Sequence, residues 1–155
     1  MRPSLTIMPM KRGHIKACED IVASSEPWKT LREKVDFDRA ITLKQAYACI
    51  LQRSGTTEVA GFILFTTEPV FARGGYLRAL GVAPPLRGQG IGGKLMTFAE
   101  REVSRQAAYF YLCVSSFNRK GQAFYKKRGY TRVGTLPGLA APDAAEYIYW
   151  KRLKS

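Results

Sequence analysis

Apolar residues recur at three- and four-residue spacings between His14 and Ser25, where Ile15, Cys18, Ile21 and Val22 predict an amphipathic helix. Pro27 stops that helix, and Glu26-Pro27-Trp28-Lys29 reads as a loop. A second helix is expected from Phe37 to about Leu51, starting near Asp38 and burying Ile41, Ala46 and Ile50. A first strand fits Ser4–Met8. The pattern changes after the turn chemistry of Arg53-Ser54-Gly55-Thr56-Thr57, and Val59–Thr67 and Gly75–Val82 read as strands. Past a Pro- and Gly-rich segment, Ala83–Gly93, the residues Ile91, Leu95, Phe98, Ala99 and Val103 share one helical face. Tyr109–Ser115 is apolar enough for a buried central strand. A short helix over Arg119–Arg128 ends at Gly129, the usual left-handed cap, and two strands near Tyr130–Leu136 and Glu146–Arg152 close the chain. The order α-α-β-β-α-β-α-β-β describes an α/β protein with a central mixed sheet flanked by helices.

Composition narrows this picture. With 155 residues, 46% hydrophobic and 24% charged, the chain is expected to be a single domain spanning 1–155 rather than a disordered basic tail. The 25 Lys and Arg against 12 Asp and Glu give a net charge of +13, which favours anionic partners without choosing among nucleic acid, acidic lipid, acidic protein and phosphorylated small molecules. Cys18, Cys49 and Cys113 are odd in number and widely spaced, and His14 is the only histidine, so neither a disulfide framework nor a metal site is encoded. Cys113, inside an apolar strand, reads as a small buried hydrophobe rather than a nucleophile. Met1-Arg2-Pro3-Ser4 is not followed by a secretory apolar segment, and the longest apolar run, Ala107–Val114, is far shorter than the ~20 residues of a membrane-spanning helix. The expectation is a cytoplasmic protein with no membrane partner.

The segment from Leu80 to Leu95 carries the most chemistry. Gly88-x-Gly90-x-x-Gly93 formally matches a dinucleotide fingerprint, but Pro84-Pro85 separates the glycines from the strand, and Ala108-Tyr109-Phe110 offers no acid ~20 positions on. A Walker loop fails as well, since Lys94 is followed by Leu95. What remains is a set of glycines at a helix start, where backbone N–H groups converge on an anion, with Arg87 at the rim. The pyrophosphate of a nucleotide-like cofactor suits that cradle.

On these residues the sequence resembles the GCN5-related N-acetyltransferase (GNAT) superfamily. Its Arg/Gln-x-x-Gly-x-Gly/Ala signature is matched by Arg87-Gly88-Gln89-Gly90-Ile91-Gly92, preceded by the strand end Leu80-Gly81-Val82. A second family pattern, an Asn seven residues before a Tyr followed by x-x-x-Gly-aromatic, is matched by Asn118 and by Tyr125 through Tyr130. The resemblance is specific from about Val59 to Tyr130 and implies acetyl-CoA as co-substrate and an amine as acceptor. It further implies that the amides of Gln89 through Gly93 (Gln89, Gly90, Ile91, Gly92, Gly93), with Gly88 and Arg87, hold the pyrophosphate, and that the backbone of Leu80, Gly81 and Val82 pairs with the pantetheine arm. By the same resemblance Asn118 contacts the pantetheine side, and Tyr125 is the general acid that protonates the departing thiolate.

No general base is named by the sequence. Glu100 and Glu102 read as residues of a solvated helix face, leaving Glu26, Glu33, Asp36, Asp38, Glu68, Asp143 and Glu146 open. Val114 and Ser115 are not acidic, which speaks against the strand-5 Glu of ribosomal-protein N-terminal acetyltransferases. Glu26 and Trp28 form a candidate acceptor-loop element, a carboxylate beside an aromatic wall for an ammonium; a tryptophan plugging the core edge explains Trp28 equally well. Lys126-Lys127-Arg128 fits either a solvated helix end or a contact with the 3′-phosphate of CoA. The leading expectation is an acetyl-CoA-dependent N-acetyltransferase acting on the primary amine of a small molecule or peptide. The alternatives are a non-enzymatic basic nucleic-acid-binding module, which the even spread of Lys and Arg disfavours, and the same fold using another acyl-CoA. Tyr147, Tyr149 and Trp150 on the last strand permit a homodimer.

Overall fold

A computed structural model describes residues 2–153; Met1, part of the N-terminal reading above, and residues 154–155 lie outside them. Among the described residues seven strands form one mixed sheet in the order β1-β2-β3-β4-β5-β7-β6: β1 Ser4–Pro9, β2 Ala46–Arg53, β3 Thr56–Val70, β4 Gly74–Val82, β5 Tyr109–Ser115, β6 Thr131–Ala141 and β7 Ala144–Arg152. The helices are α1 Ile15–Ala23, α2 Trp28–Leu31, α3 Phe37–Thr42, α4 Ile91–Ser104 and α5 Arg119–Lys127. By contacts the described residues sort into two compact units, those up to 65 with 79–99, and 66–78 with those from 100 onward. Among the described residues no helix is long and apolar enough to cross a membrane.

In the first unit β2 pairs antiparallel with both β1 and β3. The helix expected over Phe37–Leu51 is therefore corrected: it stops at Thr42, and Ala46–Arg53 is a strand. Asp36 caps the helix start by accepting from the Arg39 N–H at 3.0 Å, while Lys44 adopts a left-handed φ of 57° and turns the chain into β2. Ala46, Ala48 and Ile50 satisfy a strand period as well as the helical spacing, and two flanking strands decide between them. The short helix α2 likewise replaces part of the expected loop, after a cis Glu26–Pro27 bond. Phe62 anchors the core of this unit: Phe37 meets it edge-on at 5.0 Å and Trp28 at 6.0 Å, with Cys18, Ile21 and Ala79 around them.

In the second unit β4 runs parallel to β5 from Gly74↔Tyr109 to Leu77↔Leu112, and β7 pairs antiparallel with β5 over its whole length. Gly75 lets α4 approach, because a Cβ there would lie 2.8 Å from both Val103 methyls. Phe110, Leu112, Val114, Tyr130 and Tyr149 are buried. The final hairpin, β6 and β7, extends further than the sequence pattern indicates.

Two stability predictions follow from the first unit. A Cβ at Gly81 would fall 2.6 Å from Phe62 Cε1 and 2.9 Å from Ile21 Cγ2, so Gly81→Ala should lower the urea-unfolding free energy by about 1–3 kcal/mol. Burial pushes the Cys18 thiol up to about 12 from its ordinary 9.0, so the unfolded chain ionises first as pH rises. Stability is expected to fall between pH 9 and about 12, with Cys18→Ala flattening that slope in denaturant midpoints measured across the range.

Candidate active site

The strand β4 hands over to the glycine loop at Ala83, whose N–H donates at 2.8 Å to the carbonyl of Ala60, the residue of β3 skipped by the register shift opposite Cys49 and Ile50. Pro84–Leu86 form a single tight turn and Arg87 is extended. Gly88 and Gly90 then take left-handed φ values of 78° and 85°. At both positions nothing lies within 4 Å of where a Cβ would stand, so conformation rather than crowding requires glycine, and the space beside the backbone is open. The Lys94 N–H bonds the Gly90 carbonyl at 3.1 Å and begins the helical ladder. The N–H groups of the first turn, from Ile91 to Gly93, belong to the set that a helix leaves without internal carbonyl partners, and the dipole of α4 adds positive potential there. Such a loop fits a pyrophosphate.

Arg87 does more than stand at the rim. Its Nε donates to the Val82 carbonyl at 3.2 Å, and one terminal nitrogen donates to Ser25 Oγ at 2.7 Å and to the Ser24 carbonyl at 3.3 Å. The guanidinium thus ties the end of α1 to the end of β4 and fixes where the loop starts. Gln89 reaches the Pro85 carbonyl only at 3.5 Å. Leu80 and Val82 are half-buried, and Gly81 is packed under Phe62 and Ile21.

Glu26 and Trp28 are placed as parts of the scaffold. Trp28 is 9% exposed and packs on Phe62; both carboxylate oxygens of Glu26 turn back on Thr30, one accepting its N–H at 3.0 Å and the other its hydroxyl. The pair does not form an open aromatic wall.

In the second unit Asn118 caps α5, its Oδ1 accepting from the Gly121 N–H at 3.1 Å. Tyr125 follows within α5, about two helical turns after this cap. Its ring lies edge-on to Phe124 and to Tyr130, at 5.1 and 5.9 Å. Burial holds its phenol well above the ordinary tyrosine range, which keeps the proton on the oxygen at neutral pH.

Glu100 corrects the solvated-face reading. Only 13% exposed, it accepts from Arg128 at 3.0 Å, from the Tyr130 hydroxyl at 2.6 Å and from Lys151 at 3.2 Å. One carboxylate on α4 therefore gathers the residue after α5, the start of the last hairpin and β7. Arg128 is engaged here, which leaves Lys126 and Lys127 as the outward part of that basic run.

A further polar group escaped the sequence. Alternation along β5 puts Tyr111, Cys113 and Ser115 on one face, and register adds Tyr76 beside Tyr111 and Glu146 opposite Ser115. The Tyr76 hydroxyl donates to Cys113. Ser115 is wholly buried with no partner for its hydroxyl, and one oxygen of Glu146 is buried too. Period-two spacing of Cys113 and Ser115 was the available signal, but only the pairing register brings Tyr76 and Glu146 to the same face.

Residues 15–130 match the family model described as the acetyltransferase (GNAT) family. The chain belongs to that family. As a GNAT protein it is an N-acetyltransferase with acetyl-CoA as its co-substrate. Ard1 from Thermoplasma volcanium is similar in fold, with 21% identity, 97% of this chain and 99% of that one covered, and a TM-score of 0.76. An aminoglycoside 6′-N-acetyltransferase complexed with coenzyme A gives 19%, 97%, 98% and 0.72. The ribosomal-protein-S18-alanine N-acetyltransferase from Escherichia coli gives 17%, 98%, 96% and 0.71. No curated protein sequence matches the chain significantly.

Removing the Glu100 carboxylate takes a counter-charge away from both Arg128 and Lys151. Glu100→Ala is expected to cost about 2–3 kcal/mol in chemical denaturation, less than the roughly 3–5 of a fully buried pair because both cations keep some solvent. Glu100→Gln, which retains an acceptor for Tyr130, should lose less.

Proposed function

We propose that residues 1–155 act as one catalytic domain that moves an acetyl group from acetyl-CoA to the primary amine of a small molecule or peptide, by direct attack on the thioester. The observation that carries this reading is the glycine loop, in which two left-handed glycines open onto the first turn of α4. In this reading the amides of Gly88 through Gly93, including Gln89 and Ile91, hold the pyrophosphate. Arg87 keeps the loop in place and lends its charge. The backbone of Leu80, Gly81 and Val82 meets the pantetheine arm, and Asn118 contacts the same arm with the amide nitrogen left over from capping. Acetyl-CoA supplies an activated acyl group whose sulfur must leave as a thiol, and Tyr125, kept protonated by burial, donates that proton. Glu26 and Trp28 act on the acceptor only indirectly, by fixing the connection between α1 and α3.

The net charge of +13 repels polycations at long range, which favours a monoamine or a peptide α-amine over a polyamine. The same balance does not call for nucleic acid, and nothing in this reading needs a membrane. We retain a cytoplasmic location and leave a homodimer through the last strands as compatible with it.

Calorimetric titration with acetyl-CoA should give saturable binding in the micromolar range; no heat at tens of micromolar would remove this reading. A thiol-release panel of a peptide with a free N-terminus, an N-blocked lysine peptide, phenethylamine, spermidine and kanamycin should favour the first three, with products checked by mass. Repeating it with propionyl- and succinyl-CoA tests the donor. Tyr125→Phe is expected to lower kcat by about 10²-fold with acetyl-CoA affinity unchanged within twofold, and an unaltered chemical step would rule out the general-acid role.

A further inference from the structure

An amine acceptor reaches the enzyme as an ammonium and must lose a proton before its nitrogen can attack. Neither Ala83–Gly93 nor α5 contains a carboxylate to take it. We propose that Glu146 is the proton acceptor of the reaction, acting on the face shared by β4, β5 and β7 with Tyr76, Cys113 and Ser115 as its polar surround. This rests on the acetyltransferase reading above and deepens it.

Three features carry the assignment. First, Glu146 lies directly across from Ser115, and Cys113 is two residues further along the same face, with Tyr76 bonded to it from β4. Side chains so placed meet across strands about 5 Å apart. Second, the Ser115 hydroxyl is wholly buried without a protein partner. A buried hydroxyl left unsatisfied is costly, and that cost is removed when a water or the acceptor nitrogen bonds it. Third, the chemistry of the set leaves one group able to accept. Burial keeps both the Tyr76 phenol and the Cys113 thiol above their ordinary ranges, so both stay protonated at neutral pH. Arg78, two residues past Tyr76, is a cation, and Leu136, which pairs with Glu146 from β6, is apolar. Asp143, in the turn before β7, is exposed. Glu146 is the anion of the cluster.

The proton balance closes. One ammonium proton passes to the Glu146 carboxylate, directly or through a single water bonded to Ser115 Oγ, and from there to solvent. The C–N bond forms as the C–S bond breaks; the sulfur takes the Tyr125 proton, and the second nitrogen proton restores the Tyr125 phenol. The sum is one amide, one thiol and one proton released.

The test compares nucleophiles that differ in their need for a base. Wild-type protein and Glu146→Gln are assayed by thiol release with the most active alkylamine of the panel and with hydroxylamine, whose nitrogen is already unprotonated at neutral pH. For the alkylamine, kcat/KM should fall about 10²-fold in the variant and recover as pH approaches the amine's own pKa; for hydroxylamine it should change less than threefold, with acetyl-CoA affinity preserved. Equal losses on both nucleophiles, or no loss on either, overturn the assignment. Ser115→Ala, which removes one buried oxygen, provides the same comparison should Glu146→Gln lose acetyl-CoA binding: a loss confined to the alkylamine supports the assignment, and equal rates overturn it. Wild-type protein that releases no thiol with any amine is a different result, removing the acetyltransferase reading itself.

Discussion

The end of β4 is packed too closely for any side chain at position 81, and the placement of the glycine loop depends on that contact. Phe62 and Ile21 fill the space a Cβ would take at Gly81, while a Cβ at Gly61 would strike the Gly81 carbonyl at 2.7 Å. With the strand fixed so tightly, Arg87 can reach back to Val82 and across to Ser24 and Ser25 and hold the next turn as well. The left-handed glycines come only after that staple. A flexible loop would have to order its N–H groups each time an anion bound, and the entropy of that ordering would come out of the affinity.

How far the sequence could be read depended on the range of the interactions involved. The helices α4 and α5 and the strands β4 and β5 declare themselves through local periodicity, and the glycine loop through residue types that its φ values demand. The strand β2 was hidden because Ala46 and Ile50 fit two periods at once, and because the left-handed turn after the preceding helix falls on Lys44, which carries none of the usual signal of glycine or proline. Trp28 was ambiguous for another reason: whether an indole beside a carboxylate faces a ligand or the core depends on Phe37 and Phe62, whose positions follow from tertiary packing. Glu100, beside Arg101 and Glu102, looks like any exposed helical acid, and its three donors come from 28, 30 and 51 residues away. The face with Tyr76 and Glu146 required strand register, which no single strand encodes.

Charge is organised differently from what its total suggests. The surplus of thirteen positive charges is a property of the whole chain, yet where side-chain electrostatics is concentrated, around Glu100, an acid collects the bases. Four side chains from three stretches of sequence meet there, in partial shelter from water, where removing any one exposes the rest to a desolvation cost they no longer offset.

The glycine loop has one more consequence, for the response to acidity. Its donors are peptide N–H groups, which neither gain nor lose protons in any range a cell meets, and its arginine stays charged throughout. The grip on an anion there carries no acid–base dependence of the protein's own. On the face of Tyr76, Cys113 and Glu146, burial keeps the phenol and the thiol protonated, and the carboxylate is the group able to take up a proton. With Glu146 as the proposed proton acceptor, a drop in pH that protonates its carboxylate would slow turnover and leave the grip of those N–H groups on the cofactor unchanged.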